Sequence, residues 1–544
     1  MTWRRRAVAL CIVTGLAACS GGSERPDPSG ALAEPATTST TATTAAGSDD
    51  SQAEDAAFTV AVRTNAELGP ISPLIRGMSG VDPQYMQDAG VTVNSWGGNP
   101  STRFNYEIGH AWNAGADWEF RNTNYGNTGD NALAFVQETN AAGGAVRLAV
   151  PTLGWIAKND DDTTCSFPTD GGACRTSEEA GTCEDPGAVA DPNLANVPST
   201  PDMVAAWVDR MANEHGQQID FIAMDNEPEI WGLTHYDVHP ACSTYEEILE
   251  KYLTYASRVR EVAPSAELLG PVACCWFDYW HDVAPGTADG EDVDYLAWFL
   301  ESVRAHDEEA GRSTIDVLDV HYYPQTDVYN ENVDEDTAAR RLRSTQSLWD
   351  SEYTDESWIS TRIRFIPRMK ETIAAAYPGL QLGISEWNFG ADGSMNGALT
   401  IADTLGIYGR EGVYLANYWR NPVAHSPGYF AFKMYGNYDD QGSSFSGVAV
   451  AADSADHHRV ASYAAFDPED GHLRVMLINK QPDDDLEVRV DLGAWAAASG
   501  MQYRYSEDSP DAIVPSDLAV TGTGVDLQLP AYSITLLDLT PVSR

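Results

Sequence analysis

Two glutamates stand where a chain that performs acid–base chemistry would need them. Glu227 closes the apolar run Ile222-Ala223-Met224 within Asp225-Asn226-Glu227-Pro228, and Glu386 closes a second run within Ile384-Ser385-Glu386-Trp387-Asn388. A carboxylate at the end of an apolar segment is costly to desolvate and has a partner or a purpose. Two such groups side by side push their pKa values apart, so that one keeps a proton while the other stays charged. That combination offers a general acid and a nucleophile or base in one site, which is what hydrolysis of a glycosidic bond requires.

The two can meet only if the fold brings distant strand ends together. From about residue 76 to 420, strand-like runs alternate with amphipathic stretches. The runs are Gly77-Val81, Val91-Trp96, Val146-Trp155, Ile219-Met224, Leu268-Cys274, Ile315-His321, Leu380-Trp387 and Val413-Trp419. Helical periodicity covers Met203 to Glu214, Tyr245 to Val262, Tyr295 to His306, Ile363 to Tyr377 and Leu399 to Arg410. Thr244 and Glu247 sit at capping-box spacing before the second of these, whose apolar face is Ile248, Leu249, Tyr252, Leu253 and Val259. Eight β-α repeats without a glycine-rich turn after the first strand predict an α/β fold, a (β/α)8 TIM barrel rather than a doubly wound sheet. All strands of such a barrel open at one face, so Glu227 after strand four and Glu386 after strand seven share a mouth.

Beyond the barrel the texture changes. Val460-Phe466, Leu473-Asn479, Leu486-Leu492, Met501-Tyr505 and Ala531-Leu537 alternate without helices and predict a C-terminal β-sandwich, which Phe58 to Thr64 would join from the N-terminal side. The expected divisions are therefore 57–75 for that strand, 76–428 for the barrel and 429–544 for the sandwich.

The first 19 residues read as an export signal. Arg4-Arg5-Arg6 precedes the apolar stretch Ala7 to Leu16, too short to span a bilayer, and Leu16-Ala17-Ala18-Cys19 resembles a lipoprotein cleavage box with Cys19 as the lipidated residue. Residues 20–56 are Ser, Thr, Ala, Pro, Gly and acids, a linker reaching roughly 35 Å as a flexible coil. Six further cysteines, Cys165, Cys174, Cys183, Cys242, Cys274 and Cys275, predict disulfides in an exported protein and lack the spacing of a zinc site.

With 33 basic against 81 acidic residues the net charge is −48, which excludes nucleic acid and anionic lipid as partners and leaves membrane contact to the anchor alone. A neutral polysaccharide is not repelled, and 15 Trp and 24 Tyr supply faces on which sugar rings stack.

The layout resembles the clan of retaining barrel glycosidases, and longer motifs resemble glycoside hydrolase family 44. These are Trp96-Gly97-Gly98-Asn99-Pro100-Ser101-Thr102-Arg103-Phe104-Asn105-Tyr106, Ala111-Trp112-Asn113 with Ala116-Asp117-Trp118, and Met224 to Pro228 running on through Trp231, Thr234-His235 and His239-Pro240. Gly270-Pro271-Val272, Gly412 to Trp419 and Ala431 to Tyr435 extend the likeness, which runs from about residue 58 to the end. The resemblance implies an endo-acting β-1,4-glucanase, often strong on xyloglucan, with Glu227 as acid/base and Glu386 as nucleophile. It also implies that Asn226 binds the sugar 2-hydroxyl; by position, Tyr322 at the end of strand six is expected to orient the nucleophile by hydrogen bonding, and Trp419 closing strand eight to floor the cleaved sugar. Trp96, Asn99, Trp112, Trp118, Trp155, Trp231, Trp276 and Trp387 are the further candidates for substrate contact.

One residue departs from the family. Ser95 stands where an arginine usually precedes Trp96 and supports the nucleophile. No cofactor or catalytic metal is expected; a structural calcium on Asp289, Glu291, Asp292 and Asp294 is compatible with their oxygens. His235 and His239 have helical metal spacing but no third ligand. The chain is expected to be a monomer. Other readings are a same-clan endo-mannanase or endo-xylanase and a glycan-binding lipoprotein without catalysis, against which the intact carboxyl pair argues.

Overall fold

The computed structural model describes residues 58–542 apart from 114, 125–128 and 281–293. The export segment with Cys19, the linker, and Asp289, Glu291 and Asp292 lie outside the described residues. Asp294 caps the helix Tyr295–Ala310, its carboxylate accepting the Ala297 N–H at 3.2 Å.

Eight parallel strands close into a barrel in chain order: Gly77–Ser79, Val93–Trp96, Ala145–Val150, Phe221–Met224, Glu267–Ala273, Val317–Tyr322, Gln381–Trp387 and Leu415–Tyr418, here barrel strands one to eight. A helix follows each strand, which is why the connections are parallel crossovers. The expected third strand splits. Pro151 has no N–H to continue the ladder, so strand three stops at Val150, and Trp155–Ala157 pairs with Asn196–Pro198 as a separate hairpin.

Alternation along the strands builds two cores. Leu148, Ile222, Leu318, Leu382 and Ala416 point outward into the large cluster shared with the helices. Val93, Ala149, Phe221, Ala223, Leu269, Val317 and Leu415 form a smaller cluster that fills the lumen. Helix Tyr245–Val262 shows how the outer layer is made. Ile248, Tyr252, Tyr255, Ala256 and Val259 are buried at helical spacing, Thr244 caps the start through the Glu247 N–H, and Pro264 follows the end. Only half of the expected capping box forms, because the Glu247 carboxylate pairs with His239 Nε2 at 3.0 Å instead.

The C-terminal strands make one nine-stranded sheet. Its order is Val514–Leu518, Ala497–Ser506, Ser533–Pro541, Leu473–Asn479, Val460–Phe466, Val448–Ser454, Phe58–Pro70, Leu486–Asp491 and Gly524–Leu529. The N-terminal strand Phe58–Pro70 thus lies inside this sheet, antiparallel to Val448–Ser454. A division at 428/429 would cut helix Pro427–Gly436, which follows barrel strand eight; the sheet resumes only at Val448.

The sheet is fastened to the barrel through helix Met395–Glu411. Gly406 lies flat on the Tyr463 ring, leaving no room for even a methyl group. Beside it Asp403 is 1% exposed and accepts from Lys480 Nζ at 2.9 Å, Tyr463 Oη at 2.6 Å and Thr345 Oγ1 at 2.6 Å. A cavity of about 210 Å³ at this junction is lined by Trp349, Arg410, His457 and their neighbours and contains neither carboxylate of the pair. Among the described residues no helix is long and apolar enough to cross a membrane.

Removing one partner of a buried ion pair strands the other charge, at a cost of about 3–5 kcal/mol. Lys480→Met is therefore expected to lower stability by that amount in urea unfolding, and Lys480→Met with Asp403→Leu to recover a large part of it.

Candidate active site

After Met224 the backbone of the strand-four loop turns hard. Asp225 at φ 74° and Glu227 at φ 44° are left-handed, a conformation that costs about 1–3 kcal/mol per non-glycine residue unless its surroundings enforce it. The enforcement comes from Asp225, which is 1% exposed. Its carboxylate accepts from Thr102 Oγ1 at 2.6 Å, Thr152 Oγ1 at 3.0 Å, Leu153 N at 3.2 Å, Asn226 N at 2.9 Å and Trp231 Nε1 at 3.3 Å, and also from the Thr152 N–H. The Glu227 N–H reaches across to the Val272 carbonyl at 3.2 Å. Glu227 is thereby aimed over the lumen by a loop tied to three other segments.

Glu386 reaches the same place by a different device. Strands six and seven pair Val320 with Ile384 and then His321 with Glu386, so strand seven carries one extra residue, Ser385. The slip lets Ser385 and Glu386 both turn from the outer layer, while Trp387 resumes facing the helices. Atoms of Glu227, His321 and Glu386 lie within 4.8 Å of one another. His321 Nδ1 is 2.8 Å from Glu227 Oε1 and 3.7 Å from Glu386 Oε2. The phenol of Tyr323 donates to Glu386 Oε1 at 2.6 Å.

The electrostatics follow from burial. Loss of solvent lifts the Glu386 carboxyl to about 7; His321 opposes this, Glu227 adds to it, and the Tyr323 hydroxyl and the Arg147 charge oppose it. Burial alone would lower His321, but Glu386 and Glu227 outweigh it and hold the imidazole above its ordinary value. Glu386 and His321 therefore influence each other's protonation across the site.

A second relay fixes Asn226. Its Nδ2 donates to Asn99 Oδ1 at 3.0 Å, and Asn99 Nδ2 donates to Asp117 Oδ2 at 3.1 Å. A carboxylate can only accept, so Asp117 orients both amides in turn. Burial raises Asp117 to about 7, against the Asn99 bond and with the help of the Glu227 charge.

The remaining sequence candidates separate into cleft and core. Asn99 is in the relay, and the Trp419 ring lies against Gly98, whose φ of +79° and absent side chain admit it. Trp118 and Trp155 keep part of their surface open on loops at the barrel mouth. Trp387 is fully buried among Tyr408, Tyr418 and Phe432, because it is one residue out of phase with Glu386. Trp112 packs with Phe104 in the outer core, Trp231 clamps Asp225, and Trp276 is covered by Trp280, while Trp96 packs on Trp112 and Phe104 and keeps part of its surface open. Trp112, Trp231, Trp276 and Trp387 are buried and offer no open face to a sugar ring. Tyr322 is a correction of the same kind. It packs outward on Phe365 and Phe389, and the hydroxyl on Glu386 belongs to Tyr323. Period-two alternation from the inward Asp319 selects 321 and 323, a signal available in His321-Tyr322-Tyr323. His321, Tyr323, Asp225, Asp117 and Arg147 are the residues that motif reading left without a role.

The cysteines pair as Cys165–Cys174, Cys183–Cys242 and Cys274–Cys275, which removes thiolate ligands for zinc. His239 is held by Glu247, and His235 is kept neutral, well below its ordinary pKa, by burial and by Arg103. Among the described residues the group of side chains close enough to share an ion is Glu227, His321 and Glu386, which is the carboxyl pair itself, and no metal is assigned to it.

Residues 111–326 match the sequence profile of glycoside hydrolase family 44. The solved structure of CelM2, a bifunctional glucanase-xylanase from a metagenome library, is 32% identical with a TM-score of 0.83, covering 89% of this chain and 99% of that one. A family 44 endoglucanase from Clostridium acetobutylium is 25% identical with a TM-score of 0.77, covering 89% and 100% of the two chains. Endoglucanase A of Paenibacillus lautus is 28% identical over 501 residues, 84% of this chain and 69% of that protein.

Two tyrosine variants test the geometry. A hydrogen bond to a charged group contributes about 1.5–3 kcal/mol, so Tyr323→Phe is expected to lower kcat by roughly 10- to 100-fold. It also removes a donor that holds Glu386 down, so the acid limb of kcat/KM moves to higher pH. Tyr322→Phe leaves kcat within about twofold of the parent, since its ring stays packed in the outer core.

Proposed function

The chain belongs to glycoside hydrolase family 44, and on that premise we propose that it cleaves internal bonds of β-1,4-glucan, cellulose-type or xyloglucan backbone, with retention at the anomeric carbon. The observation that carries the reading is the carboxyl pair, whose oxygens approach within 4.8 Å. Retaining sites hold their carboxyls about 5–5.5 Å apart, whereas inverting sites need about 6.5–9.5 Å to admit a water between them.

In the first step Glu227 gives its proton to the glycosidic oxygen while Glu386 attacks the anomeric carbon. The carbon–oxygen bond to the leaving chain breaks, and a glycosyl ester on Glu386 forms. Tyr323 holds Oε1 of Glu386, which leaves Oε2 to attack. His321 lies against Oε1 of Glu227, which leaves the other oxygen to carry the proton. In the second step Glu227, now ionised, takes a proton from water, the water oxygen bonds to the anomeric carbon, and Glu386 leaves as a carboxylate. Asn226, with one N–H bound to Asn99, presents the other to the 2-hydroxyl, a contact that strengthens as positive charge develops on the ring. Trp419 offers its face to the sugar being cleaved.

A second substrate is favoured by one observation: the 32% identical relative is described as a glucanase and a xylanase. The test measures reducing-end release from xyloglucan, carboxymethylcellulose, mannan and xylan, with the anomer of the first product followed by NMR. Release of the β-anomer from the glucans, falling about 10³-fold or more in Glu227→Gln and Glu386→Gln, is the expected result. An α-anomer as first product would overturn retention, and cleavage of xylan or mannan alone would overturn the substrate.

The N-terminal residues support a further part of the reading, that the enzyme is exported and tethered by a lipid on Cys19. Cys19→Ser is expected to move activity from the membrane fraction to the soluble one. Unchanged partitioning would exclude the anchor.

A further inference from the structure

Beneath the carboxyl pair the barrel lumen is polar. Ser95, Arg147, Asp319 and Ser385, from strands two, three, six and seven, are each 3% exposed or less. Arg147 links them: Nη1 donates to Ser95 Oγ at 3.1 Å, and Nη2 donates to Ser385 Oγ at 2.8 Å and to Asp319 Oδ2 at 3.1 Å. The other oxygen of Asp319 accepts the Ser385 backbone N–H at 3.1 Å. Both the side chain and the main chain of the residue before Glu386 are thus held by one Arg–Asp pair. That residue is also the extra one that turns Glu386 into the site.

Ser95 and Arg147 are register partners on neighbouring parallel strands, so they stand at the same height in the lumen. A long cationic side chain from strand two would compete for the volume that Arg147 occupies. The serine is short, and the guanidinium from strand three fills the space, coming within 3.0 Å of where a side chain on Gly97 would begin.

We propose that Arg147 is the positioning residue of Glu386, fixing the carboxylate through Ser385 and placing under the pair, from strand three, the positive charge that Ser95 does not supply from strand two. The inference rests on Glu386 being the nucleophile. The groups that face Glu386 are His321 from strand six, Tyr323 just past its end, Glu227 from the loop after strand four, Tyr329 from the loop after strand six, and Arg147 from strand three, with Asp319 as the counter-ion of Arg147. Among them Arg147 is a permanent cation, since a guanidinium keeps its proton at every working pH. His321 loses its charge as pH rises, so Arg147 is the cation that persists on the alkaline side. The alternative, that Arg147 only neutralises Asp319, leaves the bonds to Ser385 and Ser95 without effect on the reaction.

Three variants decide between these, with kcat and KM followed against pH on a soluble β-glucan and folding followed by thermal melting. Arg147→Ser is expected to shift the acid limb of kcat/KM upward by about one unit and to lower kcat at least tenfold, with KM little changed. Ser95→Arg with Arg147→Ser returns the cation from the register-paired position and is expected to recover most of both losses. Arg147→Lys keeps the charge but loses the fork that holds two strands, so the limb stays and kcat falls by about tenfold. A folded Arg147→Ser with the parent's limb and kcat would overturn the proposal. So would a transplanted pair that folds yet behaves like Arg147→Ser alone, or Arg147→Lys with the parent's kcat if Arg147→Ser does not fold. Glu386→Gly is run alongside with azide. Failure of azide to restore turnover would defeat the nucleophile assignment, whereas azide rescue with an unmoved limb in Arg147→Ser would defeat only the role of Arg147.

Discussion

Two carboxyl groups held within 4.8 Å of one another and out of water repel, and each loses its hydration. Left alone, such a pair takes up protons and draws apart. What surrounds it here consists of the counter-measures: an imidazole against both carboxyls, a phenol on one of them, and a guanidinium in the layer below. Each comes from a different point of the barrel wall or from a different height on one strand. The eight-stranded closed form is what makes this convergence possible, because strand ends that are 159 positions apart in sequence open on the same lumen.

The same requirement explains where the backbone is irregular. Asp225 and Glu227 adopt left-handed angles, and strand seven carries an extra residue just before Glu386. Regular strands would alternate inward and outward, placing one carboxyl of the pair in the lumen and leaving the other to chance. The irregularities aim the reactive groups, and their cost is met by bonds to buried partners, Asp225 on one side and the Arg147–Asp319 pair on the other.

Legibility in the sequence follows this division between regular and irregular. Each of the eight barrel strands falls within one of the expected runs or a residue from it, although the third run proved to hold a barrel strand and the start of a hairpin. The carboxyls of the pair sit at strand ends, where the barrel rule finds them. What could not be read is direction. Trp387 and Tyr322 belong to motifs and stand next to functional residues, yet alternation sends both into the outer core. Arg147 is one charge in an apolar strand, and its bonds to Ser95 and Ser385 emerge only once the strands are closed into the barrel. In the sheet, Val514–Leu518 is almost wholly exposed and so carries no apolar signal, while Gly524–Leu529 alternates over too few residues to stand out.

The place of Phe58–Pro70 has a consequence for synthesis. This strand leaves the ribosome before any of the barrel, yet its partner Val448–Ser454 begins almost four hundred residues later. Until those residues emerge, one of the first folded-state strands has a bare edge and nothing to lie against. The barrel can form in the meantime, because its strands pair with neighbours in chain order. The sheet cannot, since its middle is waiting for its flanks. The chain is therefore closed like a clasp, beginning fastened to end, and a product cut short in its last hundred residues would keep its carboxyls and lose its fastening.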